Sequence, residues 1–348
     1  MDLKIESNHF SKAISSIEES KRINAIKLIA TFGVLFLHSY IANVQYENMI
    51  EGSLYRLTAI FSNNVCDFVV PCFMLISSYL LFIKPRNWLQ NIKSKFISLL
   101  IPLIIFNSIW IVLSVIKSKY LGGPSDYYSF TLIDWIDAYV GLFPDYKPNF
   151  SVLWYIRDLF ILNLLAPIIK KIVDLMPEVV VIIASIVWFS GISTPFIHTY
   201  AWVFFLYGCY IVKNKNKILT ILKRKNVRTC IYVLFFLLLI CDALFSFVFI
   251  HRLYIYAAIL ALAFLSKRII MYEGKYHFLI PCLFFIYLCH KIIYMIVNSF
   301  LWNGGIKMYF LLYFLNPVLA LVISVCIYYL LKKISPKLLG VLIGGRNV

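Results

Sequence analysis

The sequence predicts an all-α integral membrane protein: a bundle of about ten transmembrane helices with both termini on the cytoplasmic side. Three observations predict it. Hydrophobic residues make up 62% of the 348 residues and charged residues 14%, whereas a soluble domain is closer to half apolar and a quarter charged. So little polar surface makes lipid the solvent over most of the chain. Ten apolar segments recur, at 24–44, 65–83, 96–116, 152–169, 178–192, 199–212, 229–250, 253–266, 276–298 and 308–331, against the roughly 20 residues that a crossing helix needs. Finally, of the 33 basic residues, 24 fall in gaps that a cytoplasmic N-terminus puts inside, six fall outside, and three (Lys27, Arg157 and Lys291) fall within the membrane. That bias follows the positive-inside rule. It explains the net charge of +17 without nucleic acid as a partner.

The elements follow in order. Residues 1–23 are rich in charge with no small-residue cleavage site, so a cytoplasmic tail is expected there and not a signal peptide. The membrane domain then runs over 24–333. Its first segment carries Lys27 and His38, and Asp67 opens the second from the outside. A basic loop with Lys84, Arg86, Lys93 and Lys95 returns the chain to the third. Residues 118–151 form a long outer loop, in which TLIDWIDAYVGLF sets Leu132, Ile133, Trp135, Ile136, Tyr139 and Val140 on one helical face. That face suits a helix lying at the outer membrane surface or, alternatively, an aromatic and carboxylate platform for a sugar. The fourth segment runs inward with Arg157 and Asp158 in its outer half, and Lys170 and Lys171 follow it. The fifth, sixth and eighth segments are short, which leaves the count open by two. Between the sixth and seventh, residues 213–228 hold seven basic side chains. The seventh carries Asp242 with no evident partner, the ninth carries His290 and Lys291, and residues 334–348 form a second cytoplasmic tail. The eight cysteines lie in or beside apolar runs with no Cys-x-x-Cys pair, and read as small buried hydrophobes rather than disulfides or metal ligands.

Ionisable groups within the membrane are costly and mark functional sites. Lys27 and His38 are eleven residues apart, close to three helical turns, so they share one face of one helix, separated by roughly 16 Å along its axis. His290 and Lys291 lie about 21 Å along the ninth segment, at nearly the depth of His38. Arg157, Asp158 and Asp67 also fall in the outer half. By depth, these groups are expected to meet in one polar cavity. Structural readings stand beside this: Lys27 as a snorkelling anchor, His38 as an interhelical hydrogen-bonding group, Arg157 with Asp158 as a buried pair, and Asp67, where it is the favoured reading, as an interfacial carboxylate. A basic inner mouth leading to a histidine, a natural general base near neutral pH, suggests a path for an anionic substrate.

Several stretches resemble one family, the membrane acyltransferase type-3 proteins. KLIATFGVLFLH (27–38) resembles their basic residue–ten residues–His signature, and VPCFMLISSYLL (70–81) their Ser-Gly-Tyr segment. NIKSKFISLLIPLI (91–104) is similar to their basic loop and proline-bearing third helix. LWYIRDLFILNLLAPII (153–169), FFIYLCHK (284–291) and the tail LLKKISPKLLGVLIGGR (330–346) are also similar, in the right order, so the resemblance covers roughly residues 20–346. It implies transfer of an acyl group, usually acetyl, from cytoplasmic acetyl-CoA or another acyl-CoA to a surface glycan or lipid-linked sugar at the bacterial cytoplasmic membrane. Carried over, His38 would be the catalytic base and Lys27 its basic partner. Lys93, Lys95 and Arg86 would hold the donor, with Ser77 and Tyr79 lining its channel. Arg157, Asp158, His290 and Trp154 would lie on the acceptor side, and no metal is implied. Two departures stand out: Ser78 replaces the glycine of Ser-Gly-Tyr, and lysines replace the loop's paired arginines, binding phosphate as point charges and not as forks. The alternative is a proton-coupled transporter, which also uses intramembrane Lys, His and Asp, though neither duplicated halves nor matched helix breaks are evident. A receptor or assembly subunit would leave the Lys27–His38 stripe unexplained.

Overall fold

The chain folds, in a computed structural model that describes residues 2–40, 52–84, 87–121, 126–142, 147–245, 247–302 and 305–346, into helices joined by short turns. No strand occurs among the described residues. Helix α1 (Asp2–Ser39) begins well before the first apolar segment, so much of the expected tail is continuous with it. Helix α2 (Gly52–Ala59) passes through a π-helical turn (Ile60–Val65) towards α3 (Val69–Ile83). Helix α4 (Trp88–Lys95) passes through a second π-helical turn (Phe96–Leu100) into α5 (Ile101–Leu121). After the outer-loop helix α6 (Leu132–Val140) come α7 (Trp154–Leu164) and α8 (Ala166–Leu175), bent 62° at their junction. Pro167 sits in the first turn of α8, where its ring disfavours continuing the previous helix.

The second half comprises α9 (Pro177–Ser190), α10 (Thr199–Lys213), α11 (Lys215–Leu222), α12 (Lys225–Phe245), α13 (Val248–Ile269), α14 (Leu283–Leu301), α15 (Ile306–Ile334) and α16 (Pro336–Leu342). Each of the ten expected segments is helical over most of its described residues. Five stretches are long and apolar enough to cross a membrane: Ser53–Ile83, Trp88–Tyr120, Lys225–Phe245, Val248–Leu301 and Lys307–Ile334. The bent α7–α8 pair makes a sixth if it counts as one span. The outer surface is apolar, with Val233, Phe236, Leu237, Ile240 and Leu244 exposed on α12 alone, as a lipid-facing helix requires. Cys66, Cys72, Cys209 and Cys282 are buried as expected, whereas Cys230 and Cys326 are exposed.

Helix α1 is the central strut, packed against α3, α13, α14 and α15. Polar links fix its outer end. Pro317 has no N–H for the Tyr313 carbonyl four residues back, and the Ser39 hydroxyl donates to that carbonyl at 2.7 Å. The Ser62 hydroxyl donates to the Phe36 carbonyl at 2.9 Å. In the outer loop, Thr131 and Asp134 form a reciprocal cap at the start of α6, and Gly141 ends it at φ 67°. Leu132, Ile133, Trp135, Ile136 and Val140 are exposed and line neither cavity described below, the disposition of a helix lying at the membrane surface.

Candidate active site

The predicted stripe on α1 is real and longer than two residues. Asn24, Lys27, Thr31, Val34 and His38, spaced alternately by three and four, all line one cavity of about 490 Å³. Helix α3 adds Ser77, whose hydroxyl lies 3.1 Å from the Tyr155 hydroxyl, and Phe73. Helix α4 adds Asn91 and Lys95; α7 adds Trp154, Tyr155 and Asn163; the start of α14 adds Phe284 and Tyr287. Lys27, Lys95 and Arg346 line this cavity, and no carboxylate does among the described residues. Clustered positive charge in a confined, low-dielectric space favours an anionic occupant. Arg346 comes from the tail after α16. Burial lowers its pKa to about 10, which leaves it charged at neutral pH.

A second cavity, of about 290 Å³, meets the first at His38. Its lining includes Tyr40, Trp110, Lys291, Tyr294 and Asn298. The Lys291 ammonium donates to the Ser151 hydroxyl at 2.7 Å, leaving two of its three donors for other partners. The Tyr294 hydroxyl donates to the Leu35 carbonyl at 2.8 Å, which ties α14 to the turn of α1 preceding His38. Behind His38 lies the His290 ring, 5.1 Å away between centroids and fully buried. Its Nδ1 is 2.6 Å from the Tyr287 carbonyl. A carbonyl only accepts, so Nδ1 carries the proton and Nε2 is left as a buried acceptor with no partner among the described residues. His38 lines both cavities, and no hydrogen-bond partner for its ring is found among the described residues.

Other expected site residues lie elsewhere. Arg157 and Asp158 do not reach either cavity. Arg157 donates to Asp158 (2.9 and 2.6 Å) and to the carbonyls of Val140, Gly141 and Phe196. The other Asp158 oxygen accepts from the His198 backbone N–H and faces its ring Nδ1. The pair thus braces the C-terminus of α6 and the 196–198 turn against α7, and its donors are spent on structure. Both side chains turn away from the two cavities. His290 supports His38 and does not line the acceptor side. Trp154 lines the first cavity and packs against His198 in a tilted arrangement, 4.2 Å between ring centroids, linking the brace to the site. Tyr79 donates its hydroxyl to Glu19, which also accepts from Lys215 at 2.7 Å, and it lines no cavity. Lys93 is exposed outside the cavity, and Arg86 lies outside the described residues. Asp242 is not alone: it accepts from Asn64 at 2.8 Å and faces His251 Nδ1 at 2.8 Å, while His251 Nε2 faces Asp67 at 2.9 Å. Sequence reasoning overlooked His251 because it stands at the start of a segment, with no spacing to link it to either aspartate.

The molecule is a helical bundle with apolar spans, and it holds a cavity lined by three cationic side chains that shares His38 with a second cavity. The profile described as an acyltransferase domain (Acyl_transf_3) matches residues 20–332, and the chain belongs to that family. It is also similar to the succinoglycan biosynthesis protein ExoH of Rhizobium meliloti (strain 1021), 27% identical over 168 residues, 46% of this chain and 45% of that protein. The chain therefore matches less than half the length of that relative. No solved structure matches the chain.

Proposed function

We propose that this chain is an O-acyltransferase of the bacterial cytoplasmic membrane. It moves an acyl group, acetyl in the first instance, from cytoplasmic acyl-CoA to a hydroxyl of a cell-surface polysaccharide or its lipid-linked precursor. The observation that carries the proposal is that His38 borders two cavities at once. Family membership supports acyl transfer, and the role printed for ExoH supports a polysaccharide acceptor.

The inner cavity suits the donor. Lys27, Lys95 and Arg346 offer charge to a polyanion, and Val34, Phe73, Leu99 and Leu159 offer an apolar wall to a flexible arm. The outer cavity suits a hydroxyl acceptor, with Trp110 and Tyr294 as faces for a sugar ring. His38 takes the hydroxyl proton as that oxygen bonds to the thioester carbonyl carbon. The carbon–sulfur bond then breaks, and His38 returns the proton to the leaving thiolate. The unspent donors of Lys291 stabilise the developing oxyanion. No acyl-enzyme is needed: Cys72 is buried and lines no cavity, and the Ser77 hydroxyl has no adjacent base.

The test uses cells expressing wild type or His38→Ala, with their glycans analysed by mass spectrometry for alkali-labile acyl esters. Esters that require His38 are expected. Esters formed equally by His38→Ala would overturn the mechanism. Uptake of a solute by wild type without any ester would favour transport.

A further inference from the structure

The tail after α16, expected from the sequence to be cytoplasmic, turns back into the bundle. After α16, Gly344 and Gly345 both adopt φ +70°. A Cβ on Gly344 would lie 2.5 Å from Ser98 Cα and 2.8 Å from the Ile97 carbonyl oxygen. Both the left-handed backbone and the close approach therefore demand glycine there. The turn sets Arg346 against the junction of α4 and α5. Its Nη1 donates to the carbonyls of Ser98 (2.9 Å) and Ile343 (2.5 Å), and the guanidinium lies 3.5 Å from the centre of the Phe284 ring.

One reading of Arg346 is structural. Pro102 has no N–H for the Ser98 carbonyl four residues back, and Arg346 satisfies that carbonyl. Yet one nitrogen makes both bonds. Nε and Nη2 have no protein partner among the described residues, and the side chain lines the inner cavity with Lys27 and Lys95. A cavity-lining guanidinium bonded through one nitrogen, with its other donors unpaired and no lining carboxylate among the described residues, has the donors for a phosphate fork.

We propose that Arg346 is a binding residue of the inner cavity. With Lys27 and Lys95 it forms an anion site that takes a phosphate or pyrophosphate group of the donor, and the Gly344–Gly345 turn is the device that brings it there. The assignment rests on the acyl-CoA reading for its natural ligand, but not for its chemistry. It also restores the fork that the basic loop lost when lysines replaced the expected arginines.

The test is titration calorimetry on the full chain in nanodiscs of neutral lipid, with coenzyme A and inorganic pyrophosphate as probes over a range of salt. Wild type, Arg346→Ala and Arg346→Lys are compared, with thermal unfolding of each recorded without ligand. Loss of a charged hydrogen-bonding partner predicts at least about tenfold weaker binding in Arg346→Ala, with a shallower dependence on salt. Arg346→Lys, which keeps a donor for Ser98, is expected to unfold like wild type yet bind several-fold more weakly. It supplies the answer if the alanine variant does not fold. Binding unchanged in Arg346→Lys and in any folded Arg346→Ala would overturn the proposal, as would wild type that binds neither probe. Wild type that binds pyrophosphate through Arg346 but not coenzyme A would uphold the anion site while overturning the donor reading.

Discussion

At the scale of single residues, Lys291 and Arg157, both expected within the membrane from the sequence, have different surroundings. Lys291 offers donors at the outer cavity. Lys291→Met is expected to lower kcat by about 10²–10³, the usual cost of losing an oxyanion donor, with little change in donor affinity; steady-state kinetics in nanodiscs would check it. Arg157 is expected to behave in the opposite way. Its removal leaves Asp158 buried without its guanidinium, at a cost of about 3–5 kcal/mol. Thermal unfolding of Arg157→Ala should fall steeply, while turnover per folded molecule is largely kept. The Lys27–His38 stripe was legible because helical spacing alone puts two residues on one face. Arg157 and Asp158 were not, because depth along a helix says nothing about which neighbour the side chain faces. Arg346 was legible only as another positive charge; its place in the cavity depends on two glycines whose left-handed turn becomes evident once the tail is seen against Ser98.

At the scale of helices, small residues decide how closely the bundle packs. Ser78 departs from the glycine of the family pattern, and the sequence alone suggested altered packing. The structure shows how it is accommodated: Ser78 is fully buried, its hydroxyl donates to the Phe205 carbonyl at 2.5 Å, and Gly208 faces it on α10. A Cβ on Gly208 would lie 2.6 Å from both the Leu75 carbonyl oxygen and Ser78 Cβ. Close approach of small residues is how membrane helices associate. Gly208→Ala is therefore expected to destabilise the bundle by about 1–3 kcal/mol through overpacking, read as a lower unfolding midpoint in detergent. Prolines act similarly at a distance: Pro102 and Pro317 each leave a carbonyl without its usual helical donor, and Arg346 and Ser39 occupy those positions. No local sequence pattern pairs a proline with a donor more than 240 residues away, so these links were invisible before the fold was known.

At the scale of the whole molecule, the long N-terminal helix is latched to the second half of the chain through Glu19, Tyr79 and Lys215. Burial works against ionisation of Glu19, but hydrogen bonds from Lys215 and Tyr79 hold its carboxyl below the usual carboxylate range. A group whose folded pKa is depressed stabilises the fold above its unfolded value, and that gain is lost as pH falls through the folded value. The latch is expected to hold at neutral pH and to open only as pH falls below the usual carboxylate range, seen as faster amide hydrogen exchange in α11; Glu19→Gln should remove that pH dependence. The order of the helices was readable from hydropathy and charge, because lipid imposes both on the chain. The meeting of two cavities at His38 was not, since it depends on how α1, α3, α7 and α14 face one another.

That meeting point is the central claim, and one measurement tests it most directly. Purified wild type and His38→Ala in nanodiscs are given isotopically labelled acetyl-CoA and the glycan fraction of the parent cells, and thioester loss and labelled ester are followed by mass spectrometry. The account predicts that wild type consumes the donor and labels the glycan, and that His38→Ala, folded and still binding coenzyme A, loses about 10²–10⁴ of the rate. A folded His38→Ala protein that labels the glycan at the wild-type rate would contradict it.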